Sequence, residues 1–247
     1  MNHKYLLRFG DNALILGQRL SEWCGHGPIL EQDIAVTNIA LDLMGQARSW
    51  LKYAGEVEGK GRSEDDLAFL RDEREFFNVL LVEQPNEDFA CTIVRQFLFD
   101  VYHFYVQEFL VHSKDEMVAA IAAKSLKEVT YHLRYSSEWM IRLGDGTEES
   151  HQKMQNALNE LWVYSGELLE PDELDEEMRQ LGVGPDLNQI KVLYHQKVNE
   201  ILKEATLELP AVEWFQKGGK QGLHSEYLGH LLAEMQFLQR AYPGQEW

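Results

Sequence analysis

Proline placement constrains this chain more than any other feature. Its six prolines stand at 28, 85, 171, 185, 210 and 243, leaving two long proline-free stretches, 29–84 and 86–170. A proline inside a helix removes a hydrogen bond and clashes with the preceding turn, so such gaps suit long helices. Apolar residues within them recur at three and four positions, the helical period, and not at two. No pair of alternating segments flanks a tight Asn-Gly or Asp-Gly turn. The sequence therefore predicts an all-α fold, an antiparallel four-helix bundle with additional helices, as a single domain over 1–247.

Capping residues set the predicted boundaries. Asp11 opens a first helix over about 12–24. A second runs from Leu30 to Gly55. Ser63, followed by the acidic turn Glu64-Asp65-Asp66, opens a third that stops before Pro85. The fourth covers Asp88 to Val111. Ser113 and Glu116 form a capping box for a fifth, closed by Gly144. Thr147 caps a sixth, a seventh spans Asp186 to Thr206, and a last helix covers His224 to Ala241. The second helix is apolar around most of its circumference, so Ile39, Leu43 and Trp50 are candidates for a subunit interface as well as for core.

The net charge of −18 argues against nucleic acid, whose binding rests on neutralised phosphates. It argues equally against anionic membrane surfaces and favours a partner with a basic face. No apolar run is long enough to cross a bilayer, and no signal-peptide pattern precedes the first helix, so a cytoplasmic location is expected. Cys24 and Cys91 lack a CxxC or zinc spacing and read as buried free thiols.

Long helical bundles can carry di-iron centres, built from one carboxylate on each of two helices and a Glu-x-x-His on each of the other two. The middles of the four long predicted helices offer Asp42, Glu73, Asp100 and Glu128, one acid each. The histidines fall short. Phe76 stands three residues after Glu73 and Tyr131 three after Glu128. His132 comes one position late, and His103 follows Asp100. Glu148-x-x-His151 lies in a polar first turn. The expected interior is therefore a degenerate di-iron-like cluster of Asp42, Glu73, Asp100, Glu128, His103 and His132, held by ion pairs and hydrogen bonds, with no metal and no catalytic residue. The loop from Lys217 to Gly222 is basic and glycine-rich without being a P-loop. It reads as a flexible connection or an anion contact.

Six stretches, taken together, resemble the structural subunit of phenylacetyl-CoA epoxidase. They are 20–28, 38–48, 71–74, 80–86, 128–134 and 218–236, and among them are Asn38-Ile-Ala-Leu-Asp-Leu-Met-Gly-Gln-Ala-Arg48 and Leu80-Leu-Val-Glu-Gln-Pro-Asn86. The resemblance runs from near Leu7 to Trp247. It implies a ferritin-like fold and a hetero-oligomer with a homologous catalytic di-iron subunit. It also implies contact with a small accessory subunit and with a reductase carrying NADPH, FAD and iron–sulfur. By the same resemblance the iron is expected in the catalytic partner, which in that family epoxidises the ring of phenylacetyl-CoA during aerobic phenylacetate degradation. The alternatives are that this chain is itself an active di-iron oxygenase subunit, or a ferritin-like iron-binding protein.

Overall fold

The computed structural model describes residues 1–245, and among them every regular element is a helix. The chain divides into two compact units. One consists of Met1–Pro85 together with Gly218 and the segment after it; the other is Asn86–Lys217.

The first unit is built on α1 (His3–Ser21) and α2 (Leu30–Glu58). They pack antiparallel along their length, with Phe9 on Trp50 at 5.0 Å between ring centroids. Close approach is made possible by Gly10 and Gly17, where a Cβ would stand 2.7 Å from Leu51 Cδ2 and 3.3 Å from the Ala40 carbonyl oxygen. The helix start predicted at Asp11 is displaced. Asn2 caps α1 instead, its side chain accepting from the Lys4 amide at 3.0 Å. Asp11 sits buried in mid-helix because it is paired with Arg71.

The third predicted helix does not persist to Pro85. Ser63 and Asp66 form a capping box for α3 (Glu64–Phe69), which ends after two turns. Beyond it the chain makes only short 3-10 turns at Glu73–Glu75 and Leu80–Glu83. The cause lies in α1. Asp11 Oδ2 accepts the Phe77 amide and Asn12 Oδ1 the Val79 amide, each at 2.8 Å. Side chains thus satisfy the backbone that a helical ladder would otherwise serve.

The second unit is built on α4 (Phe89–Leu110) and α5 (Glu116–Gly144), packed against each other. Asp88, where the fourth helix was expected to begin, is the N-cap of α4. Asp115, not Ser113, caps α5, accepting from the amides of Met117 and Val118; Ser113 Oγ donates to the Val183 carbonyl instead. Against α4 pack α6 (Glu148–Leu161), α7 (Gly166–Leu169) and α9 (Leu187–Glu204), with α8 (Glu173–Gln180) lying between α7 and α9 in the chain. Gly144 packs too tightly against the Ala205 backbone to admit a side chain. The predicted last helix is two pieces of the first unit, α10 (Glu226–Met235) and α11 (Phe237–Ala241).

No helix among the described residues is long and apolar enough to cross a membrane. Cys91 is buried as expected, but Cys24 is exposed, because the chain has left α1 before reaching it.

Candidate functional site

Seventeen of the 22 residues of α4 are buried, yet the helix carries polar side chains at Thr92, Gln96, Asp100, His103 and Gln107. The spacing of four, four, three and four puts them on one face. On α5 the buried Ser125, His132 and Ser136 form a second polar row. An interior polar row costs desolvation unless its members bond to one another.

These residues do so. Asp100 is fully buried, and its carboxyl accepts from Gln96 Nε2 at 2.7 Å and from Ser136 Oγ at 2.8 Å. Burial pushes its pKa up to about 7, against the pull of His132, Ser136 and Gln96 toward the charged form. Near neutrality Asp100 is therefore poised between acid and carboxylate. The Gln107 amide donates to His103 Nε2 at 3.0 Å, which leaves the His103 proton on Nδ1. Burial, and the nearby His132, drive the His103 pKa down to about 3, so this imidazole is neutral. His103 Nδ1, Gln96 Oε1 and Gln107 Oε1 are buried without a hydrogen-bond partner among the described residues.

Three of the six residues assigned to the interior cluster thus meet in the second unit: Asp100, His103 and His132. Glu128 lies one turn before His132 on α5 and is half-exposed. Asp42 lies on α2 of the first unit and is also half-exposed. Glu73 does not belong to any interior. It is exposed on the 3-10 turn that follows α3, because the helix expected to bury it ends at Phe69. Ile39, Leu43 and Trp50, assigned to an interface, are core residues, each 1 % exposed or less. They lie on the face of α2 turned to α1. His151 bonds through Nδ1 to the Gly144 carbonyl at 2.8 Å, which ties it to the end of α5 and not to a ligand set.

The residues do not fit a di-iron centre. Such a centre needs four carboxylates and two histidines converging on the metals. Here both Asp100 oxygens and His103 Nε2 are engaged by hydrogen bonds within the helix pair, and burial favours the protonated acid. Among the described residues, Asp100, His103 and His132 do not bring their donor atoms within metal-sharing distance. The one described group of three that does is Glu87, Cys91 and Glu160. Cys91 Sγ lies 3.6 Å from Glu87 Oε2, and burial, with the flanking carboxylates, pushes its thiol up to about 12. In the metal-free chain that keeps it a thiol.

Two features of the first unit escaped sequence reasoning. Glu83 and His224, both with fully buried side chains, form an ion pair at 2.9 Å. The Lys217–Gly222 loop is a packed element from Gly218 onward. Gly219 and Lys220 are buried, and a Cβ on Gly219 would overlap the Asn78 carbonyl. The run of glycines that read as flexibility marks close backbone approach, a distinction composition alone does not make.

The profile of the family described as phenylacetic acid catabolic protein matches residues 2–247. One of the subunits of the 1,2-phenylacetyl-CoA epoxidase of Escherichia coli (strain K12) is 52% identical over 243 residues, covering 98% of each chain. A match along the whole chain at this identity is decisive: the chain belongs to the phenylacetic acid catabolic protein family.

Proposed function

We propose that this chain is the structural, non-catalytic subunit of a multicomponent di-iron oxygenase that epoxidises the aromatic ring of phenylacetyl-CoA in aerobic phenylacetate catabolism. The reading takes its activity class from the E. coli relative, which is by name a subunit of a 1,2-phenylacetyl-CoA epoxidase. It takes the non-catalytic role from the interior of α4 and α5. There the acid and imidazole that would ligate iron are bonded to Gln96, Ser136 and Gln107. The two helix pairs, α1 with α2 and α4 with α5, are the parts a ferritin-like domain over 1–247 requires. On this reading the chain works in the cytoplasm and binds and stabilises a homologous catalytic subunit that holds the iron. A small accessory subunit and a flavin and iron–sulfur reductase using NADPH complete the assembly.

The test is elemental analysis of the chain purified alone from iron-supplemented medium, followed by co-purification with the catalytic subunit. The expected result is iron far below one atom per chain, together with a stable heteromeric complex. Roughly two irons per chain, the content of a di-iron bundle, would establish the opposite reading, an active oxygenase subunit.

A further inference from the structure

One carboxylate of the first unit lies against a helix without bonding to it. Glu73 stands on the 3-10 turn after α3, and its carboxylate makes no hydrogen bond or ion pair among the described residues. It rests over α10 at Gly229, where a Cβ would come 3.1 Å from Glu73 Oε2. Glycine inside a helix is less favourable than alanine. Helix α10 thus gives up a side chain at the point where this carboxylate sits, and the chain gains no bond in return.

Glu73 and Gly229 line a groove of about 500 Å³ between the turn and the helices α10 and α11. Its apolar wall includes the buried Leu232 and Phe237, which is 63% exposed. The other two charges that line it answer each other. Arg240 donates from Nη1 and Nη2 to Asp72 Oδ1 at 3.2 and 3.1 Å, and from Nη2 to the Arg71 carbonyl at 2.8 Å. The groove is left with one free negative charge, an open aromatic ring and an aliphatic wall.

We propose that this groove receives an arginine side chain of the catalytic subunit, its guanidinium paired with Glu73 and stacked on Phe237. This rests on the proposed function and names a contact of its interface. The occupant follows from the local chemistry. A guanidinium is permanently charged, flat and weakly hydrated, so it forks onto a carboxylate and stacks on an aromatic face at once. Its three-carbon stem covers apolar surface such as that of Leu232. A divalent cation needs several oxygen ligands, and the groove offers one free carboxylate beside apolar walls.

The test uses the full-length chain and the purified catalytic subunit of the same enzyme, titrated by calorimetry. Glu73→Gln removes the charge and keeps the shape, and Phe237→Ala removes the ring. Both side chains are exposed, so helix content and melting temperature are expected to stay those of wild type. Each variant is expected to bind the catalytic subunit at least about tenfold more weakly. Glu177→Gln, which removes an equal charge from an exposed position on α8, is expected to bind as wild type does. Added salt is expected to weaken wild type more than Glu73→Gln, because the pair it screens is absent from the variant. Wild-type affinity in both Glu73→Gln and Phe237→Ala would overturn the groove while leaving the proposed function standing. An equal loss in Glu177→Gln would reduce the effect to overall charge and overturn it as well. A lowered melting temperature in Glu73→Gln would give the carboxylate an internal role and remove the argument. Failure of the wild-type chain itself to bind would overturn the proposed function and the occupant together. Dimers of the isolated chain in sedimentation equilibrium, dissociated by Glu73→Gln, would assign the groove to a second copy and overturn the occupant alone.

Discussion

His224 donates from Nδ1 to Glu83 Oε2 across 2.9 Å, while its Nε2 faces the Phe76 carbonyl, also at 2.9 Å. Both partners are acceptors, so both ring nitrogens must carry protons, and the buried ring is an imidazolium. Glu83 answers as a carboxylate, accepting also from the Ser225 amide at 2.7 Å and Asn78 Nδ2 at 3.0 Å. Burial alone would lower the His224 pKa. The bond to Glu83, its charge and the Phe76 carbonyl outweigh burial and raise it above the ordinary 6.5.

The sign of the pH dependence follows. A histidine with a raised folded-state pKa contributes stability that is fully present below the unfolded value, near 6.5. That contribution is lost as pH rises through the higher folded-state value. His224→Gln breaks a buried pair and is expected to cost roughly 3 kcal/mol. In thermal melts the gap between wild type and variant should be widest near pH 6 and narrow toward pH 9. A gap that is constant over this range would mean His224 is neutral in the folded protein.

The same pair ties the segment after Gly218 to the turns before Pro85, and the loop preceding His224 shows how tightly. Gly219 lies against the Asn78 backbone, where a Cβ would overlap the carbonyl, and Gly222 adopts φ +79° against the Arg74 carbonyl. Gly219→Ala is therefore expected to destabilise the protein by about 2 kcal/mol, since backbone and not a movable side chain must give way. Urea denaturation followed by circular dichroism would measure it. A midpoint within error of wild type would show that the loop shifts freely, as its composition suggests.

Helix periodicity and caps made much of this architecture legible. Leu30, Asp88, Thr147 and Asp186 stand at or next to the observed starts of α2, α4, α6 and α9. What was illegible depends on residues distant in sequence. Asp11 has the chemistry of an N-cap, and only Arg71, sixty residues on, makes it an interior ion. The same acid, with Asn12, holds residues 76–79 in an extended path, which ends the predicted third helix and leaves Glu73 in solvent. On α2 the aliphatics cover nearly the whole circumference, so the pattern could not say which side faces α1. Ile39, Leu43 and Trp50 took the inner side, and Leu30, Ile34 and Leu41 the outer. In the interior cluster, Asp100, His103 and His132 were visible from their helical faces. Ser136 was overlooked, although its position four residues after His132 places it on the same row.

Asp100 offers the sharpest test of that cluster. Its pKa stands at about 7 in the folded protein, against 3.8 ordinarily, because burial disfavours the charge. A carboxyl with a raised folded-state pKa stays protonated while its unfolded counterpart ionises. The folded state is therefore progressively penalised from about pH 4 to about pH 7, and the penalty is constant above that. A shift of this size corresponds to roughly 4 kcal/mol, an order-of-magnitude figure. Asp100→Asn removes the titration and retains the shape. The new amide oxygen can accept from Gln96. The new amide nitrogen can donate to Ser136 Oγ, whose proton has an alternative acceptor in the His132 carbonyl at 3.1 Å. The variant is thus expected to gain stability relative to wild type as pH rises from 4 to 7, and to hold that advantage at pH 8. Melting both proteins across this range checks it. A variant that is less stable at every pH would show that Asp100 is held as a carboxylate, by His132 or by a bound cation, and that the cluster is more than a hydrogen-bonded seam.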